Sequence, residues 1–269
     1  MDPTRNPSPT PPTPILLRED REHVATLTLN RPAARNALSL GLMTELEAAL
    51  SDIRSDANIK AVILAAAGPV FCAGHDLKEI RANPGRQNYE ALFAQCSRLM
   101  TAIVRLPKPV IARVHGVATA AGCQLVASCD LAVAAADARF ATPGVNIGLF
   151  CSTPMVALSR AVSRKAAMEM LLTGDLVDAA TAKALGLVNR VVAPEDLAAA
   201  TQALAAQIAS KSPYVLAIGK EAFYAQAEMS LDQAYAYASE TMTRNMLARD
   251  AEEGIDAFIE KRQPVWQGK

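Results

Sequence analysis

Three short apolar runs decide what this chain can become. Lys60–Ala66, Pro109–Val114 and Leu131–Ala135 are each bounded by Gly, Pro or charge. Runs of that length and texture read as strands buried on both faces. Helical stretches separate them: one covers roughly Gln87 to Arg105, and another opens near Ala121 and Gly122. Strand and helix in alternation give an α/β fold with parallel or mixed pairing. Upstream, Leu16 to Leu29 reads as two short strands, with His23–Leu29 alternating and rich in β-branched residues, and Asn30-Arg31-Pro32 ends them. Ser39 is placed to cap a helix through about Arg54 that carries Leu42, Leu46, Ala49, Leu50 and Ile53 on one face.

The texture changes after Thr173. Asp178 caps a short helix that stops at Gly186, and Leu187–Val192 reads as a strand. From Pro194 onward the pattern is helical. Pro213 behind Ser212 has the first-turn placement, and Ser230 with Gln233 has capping-box spacing. The expected organisation is a disordered Pro-rich leader at 1–14, an α/β core at 15–195 and a helical C-terminal region at 196–269.

Charge and composition remove several classes of function. Lys and Arg number 27 and Asp and Glu 27, and aromatic residues are 4 % of the chain. Neither a basic surplus for phosphates nor stacking platforms for bases is present, so no nucleic-acid partner is expected. Apolar runs break before a membrane span is complete. The leader lacks the apolar core of a signal peptide. Cys72, Cys96, Cys123, Cys129 and Cys151 form no C-x-x-C pair. An odd count without a secretory signal predicts reduced, mostly buried thiols and a cytoplasmic protein. No metal-ligand spacing occurs.

Two glycine-bearing turns follow two of the buried strands: Phe71-Cys72-Ala73-Gly74-His75-Asp76-Leu77-Lys78-Glu79, and His115-Gly116-Val117-Ala118-Thr119-Ala120-Ala121-Gly122-Cys123-Gln124. Small residues let backbones approach closely. In the second turn the approach is to a helix N-terminus, whose free N–H groups favour negative charge. Taken singly, each is an ordinary strand-to-helix connection.

Together with Leu29–Pro32, Asn36-Ala37-Leu38, the Phe140–Gly148 loop, Leu171–Gly174 and Phe258–Arg262, the turns resemble the enoyl-CoA hydratase/isomerase (crotonase) superfamily from about residue 15 to the C-terminus. Thr119–Leu125 with Gly148–Pro154 is most similar to the branch called enoyl-CoA hydratase domain-containing protein 3. The resemblance implies a crotonase-like spiral of ββα units with a helical C-terminal trimerisation region, packed as homotrimers or dimers of trimers. It also implies an acyl-CoA ligand, a role in fatty acid metabolism, and no cofactor beyond the coenzyme A of the substrate.

Carried over by position, the backbone N–H groups of His75 and Ala121 form an oxyanion hole for the thioester carbonyl. Removing one such donor typically costs ~3 kcal/mol of transition-state stabilisation. Arg35, Ala73, Leu77 and Lys78 fall at coenzyme A positions, with Asp76 orienting their turn. Phe258 and Lys261 fall where the family reaches a neighbouring subunit's coenzyme A. The chain departs from the family at the two glutamates that move water's proton in hydratases: here they are Gln124 and Gly144. An amide and a hydrogen atom supply no general acid or base. Glu90 and Ser152 are the replacements to consider, and Cys151 would need an activating base. The expectation is an acyl-CoA protein that stabilises a thioester enolate without ordinary hydration; the alternative is a non-catalytic acyl-CoA binder.

Overall fold

The computed structural model describes residues 13–269. Positions 1–12, most of the Pro-rich leader, lie outside the described residues. The hairpin β1 (Leu16–Arg21) and β2 (Val24–Leu29) leads into α1 (Leu40–Ser55), β3 (Ala61–Ala66), α2 (Leu77–Ala82) and α3 (Arg86–Val104). There follow β4 (Val110–Val114), β5 (Val117–Thr119), α4 (Ala121–Ser128), β6 (Leu131–Ala135) and β7 (Arg139–Ala141). A 3-10 turn, Pro143–Ile147, precedes α5 (Ser152–Ala161), α6 (Arg164–Thr173), β8 (Val177–Asp178), α7 (Ala179–Leu185) and β9 (Arg190–Val192). The chain then continues as α8 (Leu197–Ala209), α9 (Pro213–Gln226), α10 (Leu231–Met246) and α11 (Arg249–Glu260).

Six strands form one sheet in the order β1-β2-β3-β4-β6-β9, and only the β1/β2 pair is antiparallel. A side-chain period of two explains why its inner strands read as unbroken apolar runs. Val62 and Leu64 of β3 enter the core under α1, α3 and α4, while Ala61, Ile63 and Ala65 enter a second core with Leu204 and Ala205 of α8. Thus α8, helical by its sequence pattern and placed in the C-terminal region, covers the sheet's second face in space. The edge strand β1 is exposed from Leu17 to Arg21, and its run of four charged residues discourages pairing with another sheet.

The expected caps form. Ser39 accepts from the Leu42 N–H at 3.2 Å, Asp178 from Thr181 at 2.7 Å, and Ser212 from Val215 at 3.2 Å. Two expectations need correction. His23 belongs to the β1/β2 turn, where Glu22 and His23 both take positive φ, so the strand starts at Val24. The strand drawn from Leu187 shrinks to Arg190–Val192, because the Leu187 and Val188 N–H groups bond the Ala182 carbonyl and complete the Gly186 cap of α7. The small second sheet, β5-β7-β8, was not foreseen; its strands of two or three residues are too short to show a period.

One buried ion pair ties the C-terminal region to the core. Lys220 of α9 donates to Asp130 at 2.6 Å and to the Ile103 and Lys108 carbonyls at 3.1 Å each. Asp130 also accepts from the Tyr224 hydroxyl at 2.9 Å and the Val110 N–H at 2.6 Å. Burial pulls the Lys220 pKa down, and Asp130 offsets part of that pull. Lys220→Met strands the Asp130 charge and is expected to destabilise the fold by roughly 3 kcal/mol, read as a lowered urea midpoint at fixed protein concentration.

Candidate functional site

The turn at residues 72–76 is stitched on both sides. Toward β5, the Cys72 N–H donates to Val117 O at 3.1 Å and Thr119 N–H to Cys72 O at 2.9 Å. Toward α1, Leu38 N–H donates to Gly74 O at 2.8 Å and Asp76 N–H to Leu38 O at 3.1 Å. Glycine makes this approach feasible. A Cβ on Gly122, at the start of α4, would stand 2.2 Å from the Cys72 carbonyl oxygen. One on Gly74, at φ +98°, would stand 2.9 Å from the Ala120 Cβ and 3.4 Å from the Ala121 nitrogen. The two turns are therefore in backbone contact at Gly74 and Ala121.

The N–H groups beside that contact are those of His75 and Ala121. Ala121 is the first residue of α4, where a helical N–H has no partner within the helix. Among the described residues neither N–H donates to any acceptor. The conformational demand of the second turn falls on Ala120, at φ 50° and ψ −119°. A residue with a Cβ is strained there.

A polar network fixes the rim. Asp76 caps α2 by accepting from the Lys78 and Glu79 N–H groups at 3.2 and 3.3 Å, and it pairs with Arg31 at 2.9 Å. The Arg31 hydrogen bond holds the Asp76 carboxyl below its ordinary range. Buried Asn36 donates to the Ala67 and Val70 carbonyls at 2.8 and 2.7 Å and accepts from the Arg31 N–H at 2.8 Å. Arg35 is exposed, and its carbonyl accepts from the Ala73 N–H at 3.1 Å. Exposed Leu77 and Lys78 open α2 directly after Asp76. Arg31 and Asn36 lay within the sequence motif, but nothing in it assigned them this anchoring part.

Behind the amides, helices α3 and α4 run side by side. The His75 ring meets Phe93 edge-on at 5.8 Å, and three residues along α3 the Cys96 thiol donates to Gln124 Oε1 at 3.7 Å. Gln124 is one turn from Ala121, on the α4 face that continues through Ala127 and Ser128. Those residues line a cavity of about 910 Å³ together with Met100 and Val104 of α3, Val156 of α5 and Ile218 of α9. Gln124, one turn along α4 from the Ala121 amide, is thus among the residues that line this cavity.

At Gly144, the position the resemblance assigns to the second glutamate, the space is already taken. A Cβ on Gly144 would stand 2.7 Å from the Leu149 carbonyl oxygen and 2.9 Å from the Cys151 sulfur. The remaining candidates are not gathered at the amides. Glu90 points to solvent and pairs with Arg86 at 2.7 Å. Exposed Ser152 donates to the Phe150 carbonyl at 3.3 Å. Phe258 is 85 % exposed on α11, and Lys261 ends that helix with left-handed φ. Within one chain these last two do not join the site. Burial raises the Cys151 pKa and pushes Cys72, Cys96 and Cys123 up to about 12. All five thiols are free and buried, and none is an activated nucleophile. Among the described residues no cluster of His, Cys, Asp and Glu is arranged to hold a metal ion, and no helix is long and apolar enough to cross a membrane.

The sequence profile of Enoyl-CoA hydratase/isomerase matches residues 19–269. Enoyl-CoA hydratase domain-containing protein 3, mitochondrial, of Xenopus laevis is 48 % identical over 94 % of this chain and 86 % of its own length. A crystal structure of enoyl-CoA hydratase from Mycobacterium smegmatis superposes with a TM-score of 0.92 at 58 % identity, covering 94 % of this chain and 99 % of that one. The crystal structure of human enoyl-CoA hydratase domain-containing protein 3 gives 0.91 at 46 %, covering 94 % and 100 %. These matches bear out the fold and the branch read from the sequence. They overturn the cytoplasmic expectation, since vertebrate relatives at 47–49 % identity carry "mitochondrial" in their names. Unpaired thiols do not choose between the cytosol and another reducing compartment.

Two outcomes test this geometry. Ala120→Gly relieves the positive-φ strain at some entropic cost, and a net gain of about 1 kcal/mol is expected, read as a raised thermal midpoint. Asp76, with its folded pKa depressed, stabilises above the ordinary carboxylate value of about 3.9 and loses that contribution as pH falls through the folded pKa. Asp76→Asn is therefore expected to lower the thermal midpoint at pH 7, and the gap from the wild type should narrow toward pH 3.

Proposed function

The chain belongs to the enoyl-CoA hydratase/isomerase family, and we propose that it binds an acyl-CoA thioester with the carbonyl oxygen between the N–H groups of His75 and Ala121. The observation that carries this reading is a pair of main-chain donors without acceptors, beside the backbone contact at Gly74. Negative charge that develops on the thioester oxygen, as an enolate forms, meets two donors already in place. Arg35, Ala73, Leu77 and Lys78 offer the rim for the coenzyme A portion. The acyl chain runs past Gln124 toward the cavity between α3, α4, α5 and α9.

The site's donors stabilise charge and move no proton. Gln124 is an amide, and Gly144 has neither a side chain nor space for one. The reading is therefore of a protein that polarises the thioester and favours its enolate, with ordinary hydration of an enoyl group lacking its two-carboxylate machinery. The same two residues favour a second reading, an acyl-CoA binder without turnover. Exposed Leu231, Tyr235, Phe258 and Ile259 on the C-terminal helices, with Leu247 in the turn between them, support covering by further copies of the chain, as a trimer or a pair of trimers.

Ala121→Pro separates the readings. Proline at the first helical position keeps α4 and deletes one donor. Against a panel of acyl-CoA thioesters, the wild type is expected to convert at least one, and the variant to do so about 100- to 1,000-fold more slowly. Calorimetric binding without conversion supports the second reading, and no thioester binding at all removes both. Gln124→Glu can be tried alone, whereas Gly144→Glu must displace the Leu149 carbonyl and is expected to yield unfolded protein.

A further inference from the structure

Apolar packing does little to hold helix α11 in place. Of its twelve residues only Asp250 and Ala257 are buried. Ile255, Phe258 and Ile259, which share one face, are 45, 85 and 70 % exposed. A helix of that length is marginal by itself in water. Its order needs another source.

The segment that follows supplies it. Lys261 takes a left-handed φ and the Arg262 N–H bonds the Ala257 carbonyl at 3.0 Å, so the chain turns back along α11. There it meets a second stripe of the helix, Asp250, Glu253 and Gly254. Glu253 accepts from the Arg262 guanidinium at 2.6 and 3.0 Å and from the Val265 N–H at 2.7 Å. Gly254 leaves room for Trp266, whose ring would stand 3.2 Å from a Cβ at that position. The Trp266 indole N–H donates to the Ser210 carbonyl at the end of α8, at 2.9 Å.

Asp250, 1 % exposed, is the joint. Its carboxylate accepts from the Gln267 N–H at 2.7 Å, the Gly268 N–H at 2.9 Å and the Ser212 hydroxyl at 2.5 Å, and its own N–H donates to the Lys269 carbonyl at 3.0 Å. The same Ser212 oxygen caps α9. One buried carboxylate thus ties the returning segment to the first turns of α11 and α9. A charge in that position is tolerated only while its donors stay in place.

We propose that residues 263–269 are a releasable strap, seated on Asp250, that decides whether α11 is ordered. Strapped, α11 presents Ile255, Phe258 and Ile259 outward as one apolar face. Released, the helix frays and that face is lost. The strap is mostly exposed, and its ties run to α8, α9 and α11, so it can open below the free energy that unfolds the sheet. The proposal stands whether or not the two glycine-flanked turns hold a thioester.

Hydrogen exchange read by mass spectrometry tests it. Trp266→Ala with Gln267→Pro removes the indole and one N–H donor and alters no residue of α11. In that variant the amides of residues 251–260 are expected to exchange about 10- to 100-fold faster at equal protein concentration, with β3 and β4 unchanged. Unchanged protection of α11 overturns the proposal. If the variant does not fold, exchange of the unaltered chain in rising urea decides. Residues 251–260 and 265–269 are then expected to open together, at lower urea than β3 and β4. Opening of α11 only with the sheet, or apart from the strap, overturns the proposal.

Discussion

Everything at this site depends on how closely two pieces of backbone lie. The first turn of α4 rests on the Cys72 carbonyl with no room for a methyl group at Gly122, and the Gly74 backbone lies against Ala120 and Ala121. Strand-like hydrogen bonds between residues 72 and 117–119 on one side, and between 74–76 and 38 on the other, hold that contact. Its product is a fixed pair of open donors whose direction no side-chain rotamer can alter. Preorganisation of this kind costs nothing at the moment charge develops. It also explains why Ala120 is kept in a strained conformation: the turn must reach the glycine before the helix begins.

Much of this was legible in the sequence because glycine, proline and capping residues act locally. Ser39, Asp178 and Ser212 mark helix starts through hydrogen bonds within three residues. The apolar runs of β3, β4 and β6 announce burial on both faces. That positions 124 and 144 carry Gln and Gly and no carboxylate was equally plain. What could not be read is whatever depends on residues far apart in the chain meeting in space. The placement of α8 on the second face of the sheet, the Lys220–Asp130 clamp across ninety positions, and the Phe93–His75 and Cys96–Gln124 contacts are of this kind. The closure of the Gly144 position by Leu149 and Cys151 is another: sequence gives the absent side chain and not the occupied space.

That closure changes the meaning of the substitution. A glycine facing open space could be read as a carboxylate recently lost and easily regained. A glycine packed against a carbonyl and a thiol belongs to a wall rebuilt around it. The buried amide at 124, with the Cys96 thiol bonded to its oxygen, is a neutral group. Low-dielectric surroundings strengthen hydrogen bonds, so a donor as buried as the Ala121 N–H weighs more than one in water.

The position of α9 has an architectural consequence. One end of the ligand would be read by turns of the α/β core, while part of the chamber around its tail is built by a helix latched on from the C-terminal region. Substitutions along α9 can therefore widen, shorten or re-line that chamber without disturbing the carbonyl grip. Such a division of labour would let the length and branching of an accepted tail change while the proposed reactive end stays as it is.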